Sequence, residues 1–268
     1  MRHSLLAIVI LHFLGAGGVT AYQTPDAAIA GKGNAPEKVV RVVYLVPADR
    51  AIRDEYADGI EAAVQHFRIW LRNELGNGTT FAVNKPIVEV VATPHAAAWY
   101  STNPAGDYVL WFWHNVLADA FALTGGGFFD PDNVWVFYID SDPGCGQATG
   151  ATSGVALVPA NDLRGLAGEA NIPPCAGAPP DTAGLCRWVG GFGHELGHAL
   201  GLPHPSACED SDPNTVCPSG TLMWLGYITY PQTSLLASDK AALAASPFIV
   251  PTHLRASLPE CAGPGGKR

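Results

Sequence analysis

The chain has 268 residues, 48% of them hydrophobic and only 15% charged, with 30 glycines and 22 prolines. That length carries one well-cored domain, or one domain divided by a cleft, and the composition favours a loop-rich protein over a helical bundle. The formal net charge is -9 and no run of Lys or Arg occurs, which argues against nucleic acid or an anionic membrane surface as partner.

The first residues carry the pattern of an export signal. Arg2 and His3 precede an apolar run from Leu5 to Leu14, and Val19-Thr20-Ala21 fits small-x-small cleavage. The run is shorter than the roughly 20 residues that span a bilayer. We therefore expect cleavage near Ala21, no membrane anchor, and a secreted chain, extracellular or periplasmic. Residues 22–38, rich in Ala, Gly, Pro and Lys, read as a flexible leader.

From there the spacing of apolar residues predicts regular elements. Val39 to Val46 is a β-branched strand, and Ala51 to Leu75 has helical spacing (Ile60, Val64, Phe67, Leu71) that stops at Gly76-Asn77-Gly78. Pro86 to Val91 is a second strand. Tyr108 to Leu123 is an apolar helix, and His114, Asn115 and Asp119 within it argue for a buried helix over a membrane span. Asn133 to Ile139 is a third strand and Ser153 to Pro159 a fourth. Strand-helix alternation of this kind implies an α/β layer with a mostly parallel sheet. Beyond Pro159 the chain becomes rich in Gly, Pro and Cys, with one helix from about Arg187 to Leu200 and a last one from Leu235 to Ala245.

All six cysteines lie in the second half. An even count in an exported chain favours disulfides, and short loops point to Cys175–Cys186 and Cys208–Cys217, leaving Cys145–Cys261. Asn77-Gly78-Thr79 is a glycosylation sequon. The acidic clusters Asp130-Pro131-Asp132-Asn133 and Glu209-Asp210-Ser211-Asp212 are weak candidates for structural calcium, neither forming a full calcium loop. His95 and His114 read as packing or surface residues.

The segment from Gly193 to His204, GHELGHALGLPH, carries the chemistry. His194 and His198 are four residues apart, about 40° around a helix, and so project from one face toward a single metal ion. His204 follows too late to reach that ion unless the helix stops. Gly201 can take the left-handed conformation that ends a helix, and Pro203 discourages its continuation. Three neutral imidazoles suit Zn²⁺ and leave a fourth position for water, the arrangement of a catalytic zinc rather than a structural one. Glu195, one residue past the first ligand, is placed to act as general base toward that water.

This segment resembles the extended zinc motif of the metzincin metallopeptidases, and Met223, in Gly220-Thr221-Leu222-Met223-Trp224, resembles the clan's Met-turn. Pro205 after the third histidine is similar to serralysins, and HELGHALGL is similar to matrixins, so the resemblance names the clan and not a family. It implies a metzincin-like α/β (α+β) fold: a twisted, mostly parallel sheet with helices, and a single catalytic domain over 39–268. An upper lobe (39–204) would hold the zinc helix. An irregular, disulfide-bonded lower lobe (205–268) would hold the Met-turn and a C-terminal helix. It also implies a monomeric zinc endopeptidase acting on protein or peptide. Substrate would lie along an edge strand, for which Ser153–Pro159 is our candidate, and the side chain after the cut would point toward the Met-turn. Trp224, Tyr227, Ile228 and Tyr230 predict an apolar pocket there, with Tyr227 a candidate stabiliser of the reaction intermediate. The alternatives are a zinc hydrolase of a non-protein amide or ester, and a secreted zinc-binding module without catalysis; the presence of Glu195 argues against the last.

Overall fold

A computed structural model describes residues 38–170, 172, 175, 184–210, 212, 214–254 and 257–261. The expected signal segment and all but the last residue of the leader lie outside the described residues.

Strand β1 (Val39–Val46) leads into helix α1 (Asp54–Leu75), then β2 (Thr79–Phe81), β3 (Val83–Ala92), α2 (Ala97–Thr102) and α3 (Trp111–Thr124). Next come β4 (Asn133–Ile139), β5 (Gly150–Thr152), β6 (Val155–Val158), α4 (Ala160–Leu166) and α5 (Leu185–Ala199). The chain continues through α6 (Ser206–Glu209), α7 (Ala237–Ala245) and β7 (Ile249–Pro251). The main sheet has the order β3-β1-β4-β6-β5; all pairings are parallel except the last, and β2 and β7 form a separate antiparallel pair. The expected mostly parallel α/β layer is present.

Alternation of side chains along the strands divides the core in two. Val40, Val42, Tyr44 and Val46 of β1 pack with Val134, Val136 and Tyr138 of β4 against α1 and α5. Val43 and Leu45 pack with Trp135, Phe137 and Ile139 against α3 and Tyr100 of α2. Both faces of the sheet are covered, which is why these strands read as unbroken apolar runs. Helix α1 closes at Gly76, whose φ of 70° is left-handed and whose N–H reaches the Arg72 carbonyl at 3.2 Å.

The edge of the sheet differs from expectation. Ser153 and Gly154 form a turn, with φ of 53° and 87°, and Val155–Val158 is an interior strand between β4 and β5. Its four residues are all buried, as a strand covered on both faces requires. The edge is β5, three small residues (Gly-Ala-Thr) that carry no apolar run to announce them. The structure also forms α2 and α4, short helices that no apolar periodicity in the sequence announces.

Helix α1 anchors the later chain through residues four apart on one face. His66 Nε2 donates to the Pro259 carbonyl at 3.0 Å, and its Nδ1 accepts from the Tyr230 hydroxyl at 2.8 Å. Trp70 donates to the Pro231 carbonyl at 3.2 Å, and Glu74 accepts from the Leu235 N–H at 3.0 Å.

Among the described residues the disulfides are Cys145–Cys175, Cys186–Cys261 and Cys208–Cys217. The 208–217 pair agrees with the short-loop expectation. Cys175–Cys186 and Cys145–Cys261 are corrected. Cys186 belongs to the first turn of α5, whose neighbours are α1 and the C-terminal segment, and this brings Cys261 to it, at a Cα separation of 5.4 Å. Cys145, in the loop after β4, takes Cys175 instead. Three disulfides fit an oxidising, extracellular setting. No helix of the described residues is long and apolar enough to cross a membrane. Cys186–Cys261 spans 75 residues of chain, so replacing both by Ser is expected to cost about 2–5 kcal/mol. The check is a free energy of unfolding from denaturant titration that falls by that amount, with a slope that rises as the unfolded chain loses its cross-link, together with a non-reducing peptide map that recovers the 145–175 pair intact.

Candidate metal centre

The site is built on α5, and the end of that helix decides its shape. Gly201 has φ of 93°. Its N–H bonds the His198 carbonyl at 3.0 Å while the Leu202 N–H bonds the Gly197 carbonyl at 2.9 Å. These two bonds satisfy the last carbonyls of the helix in the manner of a Schellman turn. The chain therefore reverses, and His204 swings back beneath His198.

The three imidazoles meet through their Nε2 atoms. His198 Nε2 lies 3.1 Å from that of His194 and 3.0 Å from that of His204, and all three donor atoms lie within 4.8 Å of one another. Each Nδ1 faces an acceptor: the Leu222 carbonyl at 2.8 Å for His194, the Leu202 carbonyl at 2.8 Å for His198, and Glu209 Oε1 at 3.2 Å for His204. A carbonyl or carboxylate can only accept, so Nδ1 carries the proton and Nε2 offers a lone pair. Three lone pairs so close repel unless a cation lies between them. Nitrogens about 2.0–2.1 Å from a tetrahedral zinc would stand roughly 3.3 Å apart, so the donor set fits zinc. Burial lowers the pKa of His194 to about 4 and pushes that of His198 down as well, keeping both imidazoles neutral, as ligands must be.

Met223 is fully buried under the helix. Its Sδ stands 2.5 Å from where a Cβ on Gly197 would be, so glycine there is a condition of contact. The Trp224 N–H closes a tight turn on the Thr221 carbonyl at 3.1 Å. The same turn presents the Leu222 carbonyl to His194, and Trp224 packs edge-on to His204 with ring centroids 5.0 Å apart.

Glu195 faces the cleft. Burial, helped by the charge of Asp162 and opposed by Arg187, raises its pKa to about 7; a dication held by the histidines would oppose that rise. Gly150 of β5 passes beside it, its would-be Cβ being 3.7 Å from Glu195 Oε2. Tyr227 packs against His194 with ring centroids 5.0 Å apart. The pocket beside them, of about 320 Å³, is also lined by Asp142, Thr149, Asn161, Asp162 and Arg187. It is polar, not apolar as expected. Tyr230 is buried in the core, Ile228 is exposed, and neither Trp224, Ile228 nor Tyr230 lines it.

Among the described residues, neither acidic cluster gathers donor atoms for a cation, and their carboxylates make turn hydrogen bonds. Asp130 accepts from the Asp132 and Asn133 N–H groups and from the Trp135 indole, and Asp210 accepts from Asp212 N–H and the Thr215 hydroxyl. Glu209 instead holds His204. The sequence reading missed that role, although a carboxylate five residues past the third ligand is a usable signal. His95 bonds Asp119 and stacks on Trp99, and His114 bonds the Ala105 carbonyl; neither joins the site.

Among solved structures, wild-type OgpA from Akkermansia muciniphila is similar, with a TM-score of 0.50 and 18% identity over 84% of this chain and 66% of that one. Catalytically inactive OgpA in complex with an O-glycopeptide, glycodrosocin, gives 0.49 and 16% over 84% and 65%. Archaemetzincin from Methanopyrus kandleri gives 0.39 and 17% over 75% and 92%. This chain thus spans about 65% of the OgpA chains, and the likeness to wild-type OgpA is one of fold. No family model and no curated protein matches the sequence.

Partners that orient a ligating histidine commonly contribute 10–100-fold in metal affinity. Glu209→Ala is therefore expected to weaken zinc binding by about that factor while the fold persists, read by competition with a chromogenic chelator.

Proposed function

We propose that the chain is a secreted, monomeric zinc-dependent endopeptidase of the metzincin type, with residues 39–268 as one catalytic domain and two lobes meeting near His204. The observation that carries this reading is the convergence of three Nδ1-protonated histidines, with the half-buried Glu195 next to them in the chain and outside the donor cluster. The edge strand beside that carboxylate supports it.

When bound by His194, His198 and His204, zinc supplies a Lewis acid that acidifies water and polarises a carbonyl. Glu195 takes the proton of the attacking water and returns it to the leaving amine. Tyr227, packed on His194, is the candidate donor to the developing oxyanion. Among the described residues β5 pairs with β6 alone, so its outer edge is available to an extended peptide, which would bind through backbone bonds with little sequence selectivity. Gly150 brings that peptide's backbone alongside Glu195.

Cleavage of casein by the purified mature chain, run beside Glu195→Ala at equal zinc content, tests the reading. Loss of general-base assistance is expected to slow cleavage by about 10²–10⁴-fold with zinc retained, and a chelator is expected to stop the wild type. Equal zinc in both proteins with no cleavage by either would point away from protein substrates, toward the non-protein amide or ester alternative.

A further inference from the structure

The pocket beside Glu195 is more polar than binding an ordinary peptide side chain requires. It runs from Glu195 and His194 toward the start of α5, with its floor at the end of β6 and the start of α4. At about 320 Å³ it falls at the small end of ligand pockets, roughly 300–1,000 Å³, and holds more than one side chain fills. Two of its three carboxylates already face a guanidinium. Asp142 is gripped at both oxygens by Arg164, at 2.7 and 3.0 Å, and Asp162 faces Arg187 at 4.0 Å. A charged substrate group would have to compete with these pairs and lose water in doing so. An apolar group would leave buried hydrogen-bonding atoms without partners, which costs about 1–3 kcal/mol for each.

A neutral ligand rich in hydroxyl groups avoids both costs. It can give protons to the lone pairs of Asp142 and Asp162 and both give to and accept from Asn161 and Thr149. Its carbon-bound faces can lie on the Tyr227 ring and on Leu157, which also line the pocket. Carbohydrate combines these properties. Resting on the peptidase reading above, we infer that this pocket takes a sugar unit carried on the substrate side chain next to the scissile bond, so that the preferred substrates are glycopeptides. Tyr227 connects the two halves of the site: it touches the ligand histidine His194 and lines the pocket, so a sugar seated there fixes the peptide next to Glu195.

Zinc-loaded Glu195→Gln protein keeps peptides uncut and lets affinity be measured alone. The probes are a peptide with one O-linked N-acetylgalactosamine on a threonine and the same peptide without it. The glycopeptide is expected to bind at least about tenfold more tightly, because a pocket built for hydrogen bonds rejects a ligand that lacks them. Asn161→Ala in the same background is expected to shrink that ratio. A ratio near one overturns the inference. So does a ratio that Asn161→Ala and Asp142→Asn both leave intact, or absence of binding by either peptide. Cleavage of the bare peptide by the wild type tests the peptidase reading separately, so either can fail without the other.

Discussion

Three imidazoles can share one small space only if the nitrogen that faces inward carries no proton. Much of the local structure follows from that constraint. Each Nδ1–H needs an acceptor at hydrogen-bond distance, and each acceptor comes from a different piece of chain. The Leu202 carbonyl comes from the turn that ends α5, the Leu222 carbonyl from the turn around Met223, and the Glu209 carboxylate from α6. Each ring is therefore oriented by a hydrogen bond that the protein itself supplies, which lowers the ordering cost left for metal binding.

The same constraint explains the poor helix propensity of α5. Glycine in a helix interior costs about 1 kcal/mol relative to alanine, yet Gly190, Gly193 and Gly197 recur along one face. A Cβ at these positions would meet the Tyr227 carbonyl at 2.3 Å, the Phe67 ring at 2.1 Å and Met223 Sδ at 2.5 Å. The helix gives up intrinsic stability so that α1 and the Met223 turn can approach its backbone. Close approach on that face holds the helix in place; the adjoining side carries His194 and His198, and Glu195 projects further round the helix.

What was legible in the sequence was what local spacing encodes. The i, i+4 histidines, Gly201 as the turn and Met223 as the buried residue beneath them are all expressed over short distances, and so are the apolar runs of β1 and β4. The strand from Asn133 to Ile139 appears with the bounds its composition predicted. What spacing could not encode was tertiary. Cys186 lies close to Cys175 in sequence, but α5 points it at the C-terminal segment. The edge strand was misplaced because Gly150–Thr152 is too short and too small to read as a strand, while Val155–Val158 is a strand for the opposite reason, being buried on both faces. The pocket was expected to be apolar because Trp224, Tyr227, Ile228 and Tyr230 follow the Met223 turn; of these Tyr227 lines it, and the rest of the lining comes from β6, α4, α5 and the loop before β5, far apart in sequence.

The most direct test of the central claim is zinc K-edge X-ray absorption on the purified protein. Three imidazole nitrogens and one oxygen at about 2.0–2.1 Å are expected, with the multiple-scattering signature of histidine rings. Scattering from sulfur at about 2.3 Å, or a shell with fewer than three imidazoles, would contradict the account.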